Sequence, residues 1–464
     1  MSVIDSSVKS SVLDYKLRSI TAPKYKFVRI PMNNHASASV NIGPTSTELL
    51  EWKLPTQVYN LARSYISYSV HTPAFAGGFN INFADTFDIA QSATFGSAGG
   101  VDLVNIQHLQ NYTKIARKID TPVDDYLGND NMSQLYRADS DLNNELPFKY
   151  AGGDYDADDN PDSLTNDPKD GLFETQYVKI GNLAEEANVY RQFPLGGITG
   201  TLFAVDRDFY SPVEQYLRIT AGVGDKIAFA GSRNLAIDEG ISTPIEKIYI
   251  KQCYLYLAVE QNIAIVRGML AKYASDQLSY RIPYTTGFKN VGGGASSATN
   301  IQIQISQQYG KRLKRILHTV WNPVEKLNTA YDCHNWDGDK IETYQTFLDS
   351  LPLQDRILSC KRPAGEYVHS DDWLENKKFL NKRSCIISKE MYSLNWFHID
   401  QFYEPHDKKD LLPPDVNLDE GLVMDTPKSW TISTTSGPTS GLVHYTWVEF
   451  SRDIEVTTAG PVFK

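Results

Sequence analysis

Three residues in the C-terminal half have types and spacing that could hold a metal ion. His398 and Asp400 stand two apart in a strand-like run, so their side chains would lie on one face of a strand. His444 follows 44 residues later, and Arg452 comes eight residues after it. Facial-triad oxygenases, which are built on jelly-roll barrels, bind ferrous iron with an HxD pair and a distant histidine. An oxygenase using His398, Asp400 and His444 is therefore one alternative.

A structural role for the same residues is the simpler interpretation. The chain has nine histidines, so a single HxD pair is unremarkable, and His398 lies among aromatic residues that would pack around it. The chain also lacks the GxSxG, GxxxxGK[ST], GxGxxG and HExxH patterns of common catalytic and phosphate-binding sites. We therefore predict no enzyme activity, no catalytic, cofactor-binding or metal-binding residue, and no cofactor.

Two further patterns resemble ligand sites and fail on inspection. Asp154, Asp156 and Asp158 match the first half of a calcium loop, but Asp159 and Thr165 replace the required glycine and glutamate. Gly292-Gly293-Gly294 is not followed by lysine and serine or threonine, which favours a flexible turn. The four cysteines form no CxxC pair and are predicted to be free thiols: Cys253, Cys333, Cys360 and Cys385.

The net charge of −11 comes from one segment. Residues 120–174 hold fifteen acidic residues and three basic ones. The segment is also rich in Gly, Asp, Asn and Pro, which predicts a large surface excursion over about 120–185. Residues 1–25 are serine-rich and basic, and predict an N-terminal arm. No apolar run suits a membrane-spanning helix or a secretory signal. A chain with this charge distribution is not expected to recognise nucleic acid specifically.

Most of the remaining chain has the alternating polarity of short strands between turns. Strands are predicted over 26–30, 36–42, 65–70, 245–259, 300–306, 312–321, 386–400, 428–433 and 443–457. Helical spacing predicts helices over 102–119, with Asp102 as N-cap, and over 260–273 and 371–381. Many short strands with few helices are typical of a sandwich or jelly roll.

Two segments repeat faintly. Residues 59–73 align with 309–323, matching Tyr59, Ile66, Val70 and Pro73 to Tyr309, Ile316, Val320 and Pro323. The members of this first pair are 250 positions apart. Residues 254–259 align with 445–450, which are 191 positions apart, and the difference of 59 is close to the length of the acidic segment. Two equivalent β domains, the first carrying an extra surface loop, would produce this pattern.

Seven segments of the chain resemble the double jelly-roll major capsid proteins in their order and local sequence. The segments are NIQIQIS, QYGKRLKRILHTVWNP, IETYQTFLDSLPLQDRILSC, NWFHIDQFYE and GLVHYTWVEFSRDIEVTTAG, with VNIQHLQNYTKIARK and YLYLAVEQNIAIVRGML in the first half. The likeness is to those of polinton-like viruses and virophages, within the adenovirus and tectivirus lineage.

The resemblance implies an all-β protein with a few short helices, built as two tandem eight-stranded jelly rolls. The arm would span 1–25, the first jelly roll 26–275 with the insertion, and the second 276–464. Subunits would form homotrimers with a pseudo-hexameric outline and build an icosahedral virion, after synthesis in the host cytoplasm. Implied partners are neighbouring capsomers, penton and minor or cement proteins, and an internal membrane or the genome at the arm. Another virion β protein, such as a penton or spike, and a carbohydrate-binding sandwich remain alternatives.

Overall fold

The structure is a computed structural model, which places most strands and helices of the chain. It describes residues 22–35, 37–42, 47–72, 80–83, 86–98, 100–120, 178–182, 187–222, 228–230, 243–244, 248–292, 295–321, 335, 338, 340–361, 370–380, 392, 396–403, 421–438 and 441–463.

The strands fall into an N-terminal and a C-terminal half, and each described strand pairs within its own half. The first half holds β1 (Tyr25–Pro31), β2 (Val40–Ile42), β3 (Leu49–Leu54), β4 (Tyr59–Thr72), β5 (Asn80–Phe83), β6 (Ala90–Ser97), β7 (Asp102–Gln107), β8 (Val178–Asn182), β9 (Ala187–Pro194), β10 (Asp208–Phe209), β11 (Gln215–Ala221), β12 (Ala228–Ala230), β13 (Thr243–Pro244) and β14 (Ile248–Glu260). The second half holds β15 (Ser279–Val291), β16 (Ala298–Ile305), β17 (Arg312–Trp321), β18 (Ile341–Leu348), β19 (Leu351–Pro352), β20 (Leu358–Ser359), β21 (His398–Gln401), β22 (Leu422–Val423), β23 (Lys428–Ser436), β24 (Val443–Thr457) and β25 (Gly460–Phe463).

Both halves have the strand order of a jelly roll. In the second half one sheet runs β15-β24-β17-β21 and the other β16-β23-β18-β19. In the first half the corresponding sheets run β1-β14-β4-β10 and β3-β11-β6-β7. Numbering the eight main strands of each half in chain order gives 1-8-3-6 and 2-7-4-5 both times. The expected pair of tandem jelly rolls is therefore confirmed, and the first half carries a further sheet, β13-β12-β5-β8.

The faint internal repeat marks equivalent strands. Residues 59–73 and 309–323 contain β4 and β17, each the third strand of its jelly roll, while 254–259 and 445–450 lie in β14 and β24, each the eighth. A helix also follows the fifth strand in each half: α1 (Leu109–Asp120) in the first and, after the short β20, α3 (Asp371–Leu380) in the second. The duplication thus extends beyond the four matched residues.

Alternation of polarity explains why these segments form sandwiches. In β23, Trp430, Ile432 and Thr434 are buried while the residues between them face outward, and β11 alternates in the same way. The inward side chains of each sheet pack against those of the opposite sheet, so the apolar face of every strand is removed from water. The largest fully buried side chains include Trp52, Trp430 and Trp447.

Most predicted elements are present, with changed bounds at several of them. The strands over 312–321 and 443–457 match β17 and β24, whereas Tyr65–Val70 is the middle of the longer β4. Within 36–42 only Val40–Ile42 is a strand, and within 386–400 the described strand begins at His398.

The helix predicted over 102–119 is wrong in its first third. Asp102–Gln107 is the strand β7, paired with β6, and is not a helical N-terminus. His108 then adopts a φ of 55° and the helix α1 begins at Leu109. Leu103 and Ile106 are both buried and have helical spacing. Val104 is buried as well, so both faces of the strand lie in the core and the segment shows no alternation of polarity.

The remaining helix, α2 (Ile263–Ala274), joins the two halves, and none of its residues is buried. Its N-cap is Asn262, whose side chain accepts a hydrogen bond from the backbone N–H of Ala264. Among the described residues, no helix is both long and apolar enough to span a bilayer.

Several predicted features lie outside the described residues. They are residues 1–21 of the arm, most of the acidic excursion (121–177) with the Asp154–Asp158 pattern, Gly293, Gly294, Cys333 and Cys385. The other two cysteines, Cys253 and Cys360, are free and buried.

Candidate functional site

His398 and Asp400 lie side by side in the core of the second half. They occupy β21, and both are buried, at 1% and 6% exposure. His398 Nε2 and Asp400 Oδ1 are 3.0 Å apart, so the prediction that both side chains share a strand face is confirmed. This pair is the first requirement of the candidate iron site.

The remaining hydrogen-bonding positions of this pair are occupied by neutral protein groups. Asp400 Oδ1 accepts from Thr346 Oγ1 at 3.0 Å and Gln354 Nε2 at 3.1 Å, and Oδ2 accepts from Trp430 Nε1 at 2.7 Å. Tyr344 Oη lies 3.0 Å from His398 Nδ1. A buried carboxylate surrounded by donors is stable without a cation, so this arrangement is a closed hydrogen-bond network.

The third proposed ligand, His444, does not join the other two. Its Nδ1 lies 3.2 Å from Nε2 of His318, and His318 Nδ1 lies 2.8 Å from Thr446 Oγ1. Within the part of the chain that the structure describes, no three His, Cys, Asp or Glu side chains are arranged to hold a metal ion. The alternative of a metal triad formed by His398, Asp400 and His444 is therefore wrong. His444 instead contacts His318 on the intervening strand β17.

Burial keeps the two coupled histidines neutral. It lowers the pKa of His444 to about 4. It also lowers the pKa of His318 well below its ordinary value, and His444 and His398 nearby lower it further. Neutral imidazoles suit a core in which His318 packs against the Trp396 and Trp430 rings.

Arg452, which completed the oxygenase-like spacing, packs between aromatic rings. Its guanidinium carbon lies 3.6 Å from the ring centre of Tyr284 and 3.8 Å from that of Phe463. One of its terminal nitrogens donates to the backbone carbonyl of Gln308 at 2.8 Å. This is a cation–π sandwich that joins β25 to the sheet.

Sequence reasoning missed an ion-pair cluster that joins the two halves. Arg315 on β17 is 5% exposed and donates from Nη1 to Asp120 Oδ1 at 2.6 Å, with a second bond from Nη2 to Oδ2. Its Nε donates to Glu449 Oε2 at 2.6 Å. Burial alone would lower the pKa of Arg315, but the two carboxylates outweigh it and raise that pKa well above its usual range.

The cluster changes how the acidic segment is interpreted. Asp120 was counted as the first acid of a solvated excursion, but it ends α1 and is 10% exposed in its ion pair with Arg315. The available signal was on β17, where Lys314 and Arg315 stand in a segment predicted to be a core strand. Charged residues inside a core strand call for a partner, but the sequence does not say which one.

Aromatic and backbone contacts extend this junction. The Tyr112 and Trp447 rings are 5.5 Å apart, and Trp447 Nε1 donates to the Gln107 carbonyl at 3.1 Å. Thr285 Oγ1 donates to the carbonyl of Gly200 at 2.6 Å. Residues on both sides of α2 are thus packed against each other, so the two jelly rolls share a direct interface.

The outer faces of the two equivalent sheets differ in charge. On β3 and β11 of the first half, Arg218 pairs with Glu51 at 2.7 Å, and Lys53 pairs with Glu214 at 2.7 Å. On β16 and β23 of the second half, the corresponding outward residues are uncharged along most of the sheet, namely Asn300, Gln302, Gln304, Ser429, Thr431, Ser433 and Thr435. The low charge of this face would lower the cost of covering it, because fewer ionised groups would lose their water.

Comparison with known proteins finds the same fold in virus particles. No protein-family model and no curated protein sequence matches this chain. A chain of the quasi-atomic model of the PBCV-1 virus capsid is 9% identical, with a TM-score of 0.52 over 95% of this chain and 96% of that one. A chain of the cryo-EM structure of the Sputnik virophage is 12% identical, with a TM-score of 0.55 over 95% and 88%. At these identities the likeness is one of fold, and it spans both jelly rolls.

Proposed function

We propose that this double jelly-roll chain is a major capsid protein, the repeating structural subunit of an icosahedral virus shell. The observation that carries the proposal is the strand order 1-8-3-6 and 2-7-4-5, which is repeated in both halves of the chain. The likeness of the whole chain to a chain of the PBCV-1 virus capsid and to one of the Sputnik virophage supports it.

In this proposal three subunits associate around a threefold axis. Each subunit contributes two similar sandwiches, so the trimer has six near-equivalent walls and a pseudo-hexameric outline that tiles a shell. The first jelly roll would be residues 26–275 and the second 276–464, with the arm 1–25 beneath them. The buried Asp120–Arg315–Glu449 cluster suits this role because the two sandwiches must keep one fixed relation.

The proposed partners follow from the same architecture. They are further copies of the chain within and between capsomers, penton and minor or cement proteins at the shell's special positions, and an internal membrane or the genome at the arm. The location would be the virion, after synthesis in the host cytoplasm. The role requires no catalytic group, and the hydrogen-bonded His398–Asp400 network would serve stability.

Light scattering of the purified full-length chain tests the proposal. Coupled to size-exclusion chromatography, it should give three times the 52.2 kDa mass of the chain at micromolar concentration. A variant of the uncharged face, Gln302→Lys with Gln304→Lys, should weaken association if that face is covered in the assembly. A stable monomer of the unmodified chain would refute the proposal.

A further inference from the structure

A short segment of the second half, made of β19 and the turn after it, presents three large apolar side chains to solvent. This knob, residues 351–357, contains Leu351, Leu353 and Ile357, which are 70%, 36% and 61% exposed. Exposed apolar side chains clustered in one short segment mark an interaction surface, whereas isolated ones need no explanation.

The knob is held firmly by a buried residue in its middle. The backbone N–H of Thr346 donates to Gln354 Oε1 at 2.7 Å, and Gln354 Nε2 donates to Asp400 Oδ1 at 3.1 Å. Leu358, directly after the knob, is 3% exposed. The knob is therefore preorganised, so binding through it costs little conformational entropy.

The first half offers a groove of matching chemistry. Its volume is about 430 Å³, and it lies between α2 and the sheet that contains β1. Its apolar lining is Val28, Val58, Val259, Val266 and Leu270. Ile263, one turn from Val266 on the same helix, is 65% exposed. Lys26 and Glu260 supply charge at the groove.

The registers of the strands place knob and groove at the same end of the molecule. β15 starts at Ser279 just after α2, and the chain returns along β16, which ends at Ile305. Ile305, the last residue of β16, pairs with Lys428, the first residue of β23. Two residues further along β23, Trp430 pairs with Leu348, the last residue of β18, which directly precedes the turn into the knob. The knob therefore lies at the end of its sheet where α2 lies.

We infer that the knob of one copy docks into the groove of the next copy around the proposed threefold axis, an inference that rests on the proposed function. Among the described residues of a single chain, the knob side chains are exposed and do not line the groove. A contact between two different surfaces forms a closed ring when the rotation between copies closes, and the placement of knob and groove at the same end of the molecule suits such a ring. Asp355 in the knob would face Lys26 at the groove, which fixes the orientation of docking.

Disulfide capture tests the contact. A chain carrying Leu353→Cys and Val266→Cys should, on mild oxidation, form covalent dimers and trimers on a non-reducing gel. The single variants, which also control for the native cysteines, should remain uncrosslinked. Crosslinking by Leu353→Cys alone would mean that knobs meet each other, and would overturn the inference.

The outcomes separate this inference from the proposed function. A chain that is trimeric by light scattering yet forms no crosslink specific to the double variant contradicts the knob-in-groove contact and leaves the capsid proposal standing. A monomeric chain contradicts both. A crosslink between Val266→Cys and Val12→Cys, stronger than that with Leu353→Cys, would assign the groove to the N-terminal segment and overturn the inference.

Charge placed in the knob gives an independent readout. Leu353→Asp with Ile357→Asp should shift the particle from three chain masses to one. Leu374→Asp, at a 44% exposed position of α3 outside both surfaces, is the matched control and should keep the trimer. Retention of the trimer by the knob variant would overturn the inference.

Discussion

Arg315 is the side chain on which the junction of the two jelly rolls depends most. Its guanidinium is almost fully buried and forms hydrogen bonds with Asp120 at the end of α1 and with Glu449 on β24. Removing a charge from water is expensive, and the cost is recovered only while both carboxylates stay in place. The cluster therefore ties the relative position of the halves to three specific charges.

Replacing this arginine should destabilise the protein strongly. Arg315→Met removes the buried cation between Asp120 and Glu449, which should cost about 3–5 kcal/mol in the free energy of unfolding. Arg281→Met is the matched control, because Arg281 pairs with Asp453 at 2.6 Å while 43% exposed, and its loss should cost about 1 kcal/mol or less. Urea denaturation measures both, and equal midpoints for the two variants would contradict the assigned role of Arg315.

The buried histidines make the stability of the fold depend on pH. The pKa of His444 is about 4 in the folded chain and near its ordinary value of 6.5 when unfolded, so the unfolded state binds the proton first. Stability from this group is complete above pH 6.5 and declines as the pH falls toward 4, by about 3 kcal/mol in total.

Thermal unfolding measured across this pH window tests the histidine assignment. His444→Gln should show a smaller loss of melting temperature between pH 6.5 and pH 4 than the unmodified chain. Carboxylates held at lowered pKa, such as Asp453, lose their contribution in the variant and the parent alike, so the difference between the two profiles reports His444. Identical pH profiles for variant and parent would refute the role of His444.

At the scale of elements, local alternation predicted most strands, while contacts across the fold were not predictable. The bounds of β17 and β24 follow from long runs of alternating or apolar residues, and the shared face of His398 and Asp400 follows from the period of a strand. The strand β7 has the spacing of a helix because Leu103 and Ile106 are three residues apart, and because both of its faces hold buried side chains it lacks the alternation of a half-buried strand. That His444 would meet His318, 126 residues away, depends on the pairing of β17 with β24, which no local pattern specifies.

The junction between β7 and β15 requires close approach of two backbones. A Cβ added to Gly287 would lie 2.6 Å from the carbonyl oxygen of Gln107 and 2.9 Å from the Trp447 ring. Gly287→Ala should therefore cost about 1–3 kcal/mol through overpacking. Gly268→Ala on the exposed helix α2 meets nothing within 4 Å and should stabilise by up to about 1 kcal/mol. Thermal melts of the two variants should shift in opposite directions, and a shift in the same direction would contradict this packing.

At the scale of the whole molecule, the chain carries two similar sandwiches, which in the proposed trimer would give a pseudo-hexameric outline. The first half differs from the second by its extra sheet and by the ion pairs on its outer face, while the second presents an uncharged face and the knob. Such differences between equivalent walls suit an assembly in which each wall meets a different neighbour. The individual strand patterns predicted the sandwiches, but only the three-dimensional structure located the surfaces left open for association.

Cryo-electron microscopy of the purified full-length chain measures the central claim most directly. Views down the symmetry axis should show six lobes in a hexagonal outline with threefold symmetry, each pair of lobes fitted by the two jelly rolls of one chain. Single two-lobed particles, or rings of any other symmetry, would contradict the account.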